Sequence, residues 1–360
     1  MNIGHWHVIP GVIQRNIMDK TGNRKDEHLT LCLKEEVEFS EKNTSGFSNL
    51  RFDHDALPEV NKAHISLETE LFSKKLAAPI IIGAMTGGTS KAALINRRLA
   101  EAAEKCQVGF TLGSQRKMLE DPKRAPSFCV RKFAPKIPLL IGNIGAVQLN
   151  YGVETAHLKK LISETELDAF TFHLNPLQEA IQPEGDTDFS DLLPKLRDVI
   201  PSLGVPVLIK EVGAGISETT ALKLQKLPIA GIETAGRGGT SWSRVESLRT
   251  KNEIQKKVGE LFTHWGIPTS RSIQICRKYF PDKVVIASGG IRNGIEVAKA
   301  IALGADAAAL AYPFLKAGEE SLEAVVQLIE RIKEELRTAM FVTGCRNVAD
   351  LRKRKLQKHE

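Results

Sequence analysis

The chain has 360 residues, 42% of them hydrophobic and 26% charged, which excludes a disordered or fibrous protein and leaves room for one large core or two ordinary ones. No apolar run approaches the roughly 20 residues that cross a bilayer, and the stretch around Val8 to Ile13 lacks the layout of a signal peptide, so a cytoplasmic, non-membrane protein is expected. The formal charge of +7 points to anionic partners. Cys32, Cys106, Cys129, Cys276 and Cys345 are scattered, without a Cys-x-x-Cys pair, and read as core filler rather than a disulfide framework or zinc site. The basic end, Arg352-Lys-Arg-Lys355 with Lys358, has no interleaved aromatics and reads as solvated chain, so no nucleic acid is expected.

In chain order, Met1 to Gly22 shows no period and suggests a strand or mobile arm. Arg24, Lys25 and His28 follow as a cationic cluster of the kind that clamps phosphate, or as an ordinary charged helix start. Glu35 to Leu71 is irregular but anchored by Phe47, Phe52 and His54-Asp-Ala-Leu-Pro-Glu59. From Pro79, short β-type runs alternate with amphipathic segments: Pro79 to Ala84, Val108 to Leu112, Leu139 to Asn143, Asp168 to His173, Val205 to Lys210, Ile229 to Glu233, Lys283 to Ala287 and Asp306 to Ala311. This α/β alternation predicts a closed (β/α)8 TIM barrel over 79–360, with residues 1–78 as an N-terminal extension; an open doubly wound sheet is the alternative. Lys316 to Arg337 reads as one long helix and Gly344 to Lys355 as a closing helix.

The residues after each run carry the chemistry. His173, Asn175, Gln178, Glu179 and Glu184 surround a strand end; a carboxylate among neutral amides suits a hydrated divalent cation or a polar substrate, or simply a strand-to-helix connection. Ser288-Gly-Gly-Ile-Arg292 after the seventh run and the turn at Ala311 after the eighth sit where many barrels cradle a phosphate. Gly236 to Thr240 is a second glycine-rich turn. Lys210 ends an apolar strand, and pairing with an acid such as Glu211, Schiff-base formation and stabilisation of an anionic heterocycle are all open to it.

Arg24-Lys25-x-x-His28-Leu29, Met85-Thr-Gly-Gly88, Gly113-Ser-Gln-Arg116, His173-Leu-Asn-x-x-Gln-Glu179, Pro183-Glu-Gly185, Lys210-Glu-Val-Gly213, Gly236-Arg-Gly-Gly-Thr240 and Ser288-Gly-Gly-Ile-Arg292, with the His54 segment, resemble in order the motif series of the type 2, FMN-dependent isopentenyl diphosphate isomerases. The resemblance implies 1,3-allylic isomerisation of isopentenyl to dimethylallyl diphosphate with reduced FMN and Mg²⁺, NADPH serving only to reduce the flavin, in a homo-oligomer. It implies flavin contacts from Ala84, Met85, Thr86, Ser114, Asn143, Lys210, Ala235 and Thr240, and a hold on the flavin phosphate from Gly289, Gly290, Arg292, Ala311 and Tyr312. Arg24, Lys25, His28, Arg116, His173, Asn175 and Gln178 would surround the substrate, Glu179 would bind the metal, and Gln178, His173 and Lys210 would act in the chemistry. Ala235 stands where the family often has Ser, removing a hydroxyl contact, and Tyr312 where many members have Gly, crowding or capping the phosphate pocket. An FMN-barrel oxidoreductase of the hydroxy-acid oxidase or dehydrogenase type is the alternative function.

Overall fold

Neighbouring residues along the short apolar strands fall into two different clusters, and that period of two is the mark of a sheet buried on both faces. In the computed structural model, which describes residues 20–34, 37–39 and 44–358 with side chains of the first helix from Arg24 onward, the strands are β1 (Ile80–Ile82), β2 (Gly109–Thr111), β3 (Leu139–Gly145), β4 (Ala169–His173), β5 (Val207–Lys210), β6 (Gly231–Glu233), β7 (Val284–Ser288) and β8 (Ala307–Leu310). They close in chain order into an all-parallel barrel, β8 pairing back onto β1. Ile81, Leu139, Ile141, Ala169, Leu208, Ile286, Ala307 and Ala309 share one cluster, while Ile80, Ile82, Leu140, Phe170, Ile209, Val285 and Ala308 belong to the other, under the helices.

The inner cluster also takes in Leu71 and Leu76, with Phe72 packed against it. These come from the antiparallel hairpin Thr69–Leu71 and Lys74–Leu76, so the hairpin plugs the barrel at the strands' amino-terminal end. Only the carboxyl-terminal rim is left to form a site. Three insertions crown that rim: Pro176–Ile181 after β4, Trp242–Arg249 with Glu253–Leu261 after β6, and Tyr312–Glu320 after β8.

The opposite end is held by a device that recurs four strands apart. Asp168, just before β4, accepts hydrogen bonds on Oδ2 from Arg131 Nη2 at 2.5 Å and the Leu140 amide at 2.8 Å. Asp306, just before β8, accepts on Oδ2 from Arg277 Nη2 at 2.7 Å and the Val285 amide at 2.8 Å. Each arginine also donates to main-chain carbonyls, Arg277 to those of Gly304, Phe280, Pro281 and Lys283. Arg277→Met leaves Asp306 with only Arg352 and the Val285 amide and unpairs several carbonyls at once, and is expected to lower unfolding free energy by about 2 kcal/mol while leaving ligand binding at the far rim unchanged. Chemical denaturation of variant and wild type measures it.

Three sequence expectations are corrected. The long helix Lys316 to Arg337 is two, Tyr312–Glu320 and Leu322–Phe341, because Ser321 is extended and its side chain caps the Ala324 amide to start the second. The closing helix is only Val348–Arg352: Gly344, at φ +64°, ends the preceding helix, Asn347 caps a new short one, and Leu356–Lys358 is a strand paired with Leu50–Phe52. The basic end is solvated as expected, Arg352 to Lys355 and Lys358 all being exposed, and it is also tied down, with Arg352 on Asp306 at 2.8 Å and Arg354 donating to the Gly344 carbonyl at 2.9 Å. Lys20 to Gly22 open the helix Lys20–Lys34 rather than closing an arm, and the rest of Met1 to Gly22 lies outside the described residues. Among the described residues no helix is long and apolar enough to cross a membrane, and the five cysteines are free, four of them buried.

Candidate active site

Every residue assigned above to flavin, substrate or metal lines one cavity at the carboxyl-terminal rim, the helix Lys20–Lys34 forming its outer wall, whereas Glu184 is not among the lining residues and pairs with Arg249 and, at 3.8 Å, with Arg24. On one side lies a glycine cradle. Gly289 and Gly290 have φ of +107° and +72°, and a Cβ at either would come within 2.2 Å of a carbonyl oxygen in the Gly236–Thr240 turn. The two glycine-rich turns are thus in main-chain contact, which no other residue permits. Among the described residues the amides of Gly290 and Ile291 donate to no protein acceptor. The helix Tyr312–Glu320 starts beside them with no side-chain cap at Ala311, so its first-turn amides are also left for an anion. Arg292 flanks the cradle, its guanidinium 5.6 Å from the centre of the Tyr312 ring and paired with Glu38. Tyr312 also lies under Lys316, at 4.6 Å, so the ring braces two cations at the rim of the pocket.

Across the cavity is a second, more cationic pocket. Arg24, Lys25 and Arg116 line it. Lys25 Nζ donates to the Ser114 carbonyl at 2.9 Å and lies 5.4 Å from the centre of the Phe128 ring. Burial, with Arg24 and Lys117 adding to it, brings the Lys25 pKa down to about 7. Burial and Arg116 likewise work against the charge on Arg24, whose Nε is buried without a partner, as is the Asn175 Oδ1 nearby. A buried donor on a disfavoured cation is a demand for an anion.

Acids that the sequence did not single out hold this pocket in shape. Glu246, buried in the helix Trp242–Arg249, faces His28 Nε2 at 3.0 Å and accepts from Gln178 Nε2 at 3.1 Å and Arg249 Nη1 at 3.3 Å. With its amide turned to satisfy both ends, Gln182 donates to Glu246 at 3.2 Å and accepts from Arg24 Nη1 at 3.0 Å. Trp242, one turn before Glu246, meets the His28 ring edge-on at 5.3 Å. Asn175 Nδ2 donates to Glu179 Oε1 at 2.7 Å and to Gln178 Oε1 at 3.3 Å, so both ends of the Gln178 amide are fixed.

Between the two pockets stand His173 and Lys210, opposite each other in the β4–β5 register. Burial, then Lys210 and Lys25, lower the His173 pKa to about 3, so the ring is neutral. Its Nδ1 lies 2.8 Å from Asn143 Oδ1, which assigns the proton to Nδ1 and leaves Nε2 an acceptor. Lys210 does not pair with the Glu211 side chain. That carboxylate is spent on the next four amides, Val212 to Gly215, at 2.5 to 3.1 Å, while Lys210 Nζ donates to the Glu211 carbonyl at 2.6 Å and sits 3.9 Å from Glu233.

A family model described as FMN-dependent dehydrogenase matches residues 27–129 and 176–358. An isopentenyl-diphosphate delta-isomerase of Nostoc sp. is 45% identical over 333 residues, 92% of this chain and 95% of that protein. The enzyme of the same name from Synechococcus sp. is 47% identical over 330 residues, 92% of this chain and 94% of that one. The chain belongs to the isopentenyl-diphosphate delta-isomerase family. Solved structures share the barrel fold: a Pediococcus acidilactici lactate oxidase superposes with TM-score 0.68 at 15% identity, covering 94% of this chain and 93% of that one. A mandelate oxidase carrying an FMN adduct gives 0.61 at 16%, covering 88% and 90%. The family membership and the glycine cradle agree: the residues present fit the phosphate of an FMN.

Proposed function

We propose that this chain is an isopentenyl-diphosphate delta-isomerase, shifting the double bond between isopentenyl and dimethylallyl diphosphate with no net redox change. The observation that carries it is the pair of anion-seeking pockets facing each other in one cavity: a main-chain cradle suited to the FMN phosphate, and a cluster of arginine and lysine suited to a diphosphate.

Gly289, Gly290, Arg292, Ala311 and Tyr312 would hold the flavin phosphate, with Ala84, Met85, Thr86, Ser114, Asn143, Ala235 and Thr240 about the ring. When bound and reduced by NADPH, the flavin supplies proton exchange with an unactivated alkene, chemistry for which ordinary side-chain acids are poorly matched. Arg24, Lys25 and Arg116 grip the diphosphate and fix the hydrocarbon over one place, an orientation effect worth on the order of 7 to 11 kcal/mol. Glu179 keeps acceptor capacity beside Asn175 and would contribute the single carboxylate that Mg²⁺ needs, phosphate and water completing its shell. His173, neutral with Nε2 free to accept, and Lys210, a cation at the strand end, set the polarity of the floor. Gln178 orients or relays a proton, its amide fixed by Asn175 and Glu246.

Purified protein should be yellow or become so with FMN, and after anaerobic reduction should convert isopentenyl diphosphate through many turnovers per NADPH consumed. Protein that takes up no flavin, or that oxidises substrate mole for mole with flavin reduction, overturns the reading, the second outcome in favour of a hydroxy-acid oxidase type.

Lys25 adds a pH signature. With its free-state pKa near 7 and a diphosphate restoring the charge, binding takes up close to one proton at pH 8 and almost none at pH 6. Calorimetry in buffers of different ionisation enthalpy reads this directly, and Lys25→Met abolishes it.

A further inference from the structure

We propose that Asp186 is a positioning residue that couples the diphosphate clamp to the metal-binding acid, an assignment that rests on the function proposed above. Asp186 is 4% exposed. Its Oδ2 accepts from Arg116 Nη1 at 2.5 Å and from Gln148 Nε2 at 3.0 Å, and its own main-chain N–H donates to Glu179 Oε2 at 2.7 Å. One residue therefore touches both the cation expected on the diphosphate and the carboxylate expected on Mg²⁺.

The geometry is built in rather than incidental. Arg116 Nε is taken by Glu120 Oε1 at 2.6 Å, so with Nη1 on Asp186 the guanidinium is fixed on two sides and Nη2 remains for a ligand. Gly185 makes the other link possible. A Cβ there would lie 1.9 Å from the Glu179 carbonyl oxygen, so only glycine lets the loop fold back on the helix Pro176–Ile181 and deliver the Asp186 amide to Glu179. A buried acid serving only to neutralise Arg116 would need no such approach.

Two substitutions separate the arms in the FMN-loaded enzyme. Asp186→Asn removes the charge-assisted bond to Arg116 but keeps the main-chain amide. It is expected to raise KM for isopentenyl diphosphate about tenfold or more, with kcat changed much less and the visible spectrum unchanged. In an Arg116→Met background the same substitution should add nothing. Gly185→Ala displaces the amide instead, and is expected to raise the Mg²⁺ concentration needed for half-maximal binding of isopentenyl diphosphate by calorimetry. If Asp186→Asn does not fold, Gln148→Met, which removes one donor and leaves the charge, is expected to show a smaller KM rise of the same kind. Variants that lose thermal stability or flavin while KM and Mg²⁺ dependence stay at wild-type values overturn the assignment and leave the function standing. Wild-type enzyme with no Mg²⁺-dependent binding of the diphosphate takes down both.

Discussion

Gly289→Ala is expected to fold and to purify without flavin. The added Cβ falls 2.6 Å from the Thr269 hydroxyl and, more seriously, 2.1 Å from the Gly236 carbonyl oxygen and 2.6 Å from the Gly236 nitrogen, main-chain atoms that cannot swing aside. At φ +107° any Cβ is strained before it meets them. The two glycine turns must separate by about an ångström, and a misplacement of that size costs about 100-fold where geometry is shared by several bonds. Flavin fluorescence titration should therefore show FMN affinity down by roughly two orders of magnitude, with circular dichroism unchanged. Gly204→Ala is the control: that glycine is also left-handed, at φ +74°, but a Cβ there meets nothing within 4 Å, so it costs about 1 kcal/mol of stability and no flavin. Gly289→Ala protein with a full complement of FMN would show that the cradle is not the phosphate site.

Gln178→Leu is the second large effect, and here flavin should stay while turnover goes. The substitution keeps volume but removes an amide held at both ends, by Asn175 Nδ2 and Glu246 Oε1. Burial works against the Glu246 carboxylate, yet His28, Arg249 and Gln178 together hold its pKa below the ordinary range. A lowered folded pKa means that this acid contributes stability above its unfolded value and loses it only as pH falls through the folded one, so it is ionised wherever the enzyme works. Gln178 thus always has an anion to donate to. Loss of a positioned proton-handling group costs about 100- to 10,000-fold, and kcat in single-turnover isomerisation is the measurement. Wild-type kcat in Gln178→Leu with normal flavin content would remove Gln178 from the chemistry and leave the clamp as its only role.

The acids explain why part of the site was illegible. Arg24, Lys25, Gly289 and Lys210 announce themselves, because cations in sequence, paired glycines and a charge ending an apolar strand are locally unusual. Glu246 and Asp186 are ordinary acids in polar segments, and nothing near them in the chain signals that His28, 218 positions earlier, or Arg116 will arrive to pair with them. Glu211 misleads in the opposite direction: beside Lys210 in sequence it looks like a partner, but the strand ends at Lys210 and the Glu211 carboxylate turns to the amides of its own loop.

What the chain determined by itself was the succession of eight strands alternating with helices, the glycines after the seventh strand and the turn at Ala311 after the eighth, since period and turn chemistry act over a few residues. Only the tertiary structure decided that the hairpin at Leu71 to Leu76 stoppers one mouth, that the amino-terminal helix walls the other, and which acids meet which cations. Those contacts join residues tens to hundreds of positions apart, and barrel closure, a global event, is what brings them within hydrogen-bonding distance.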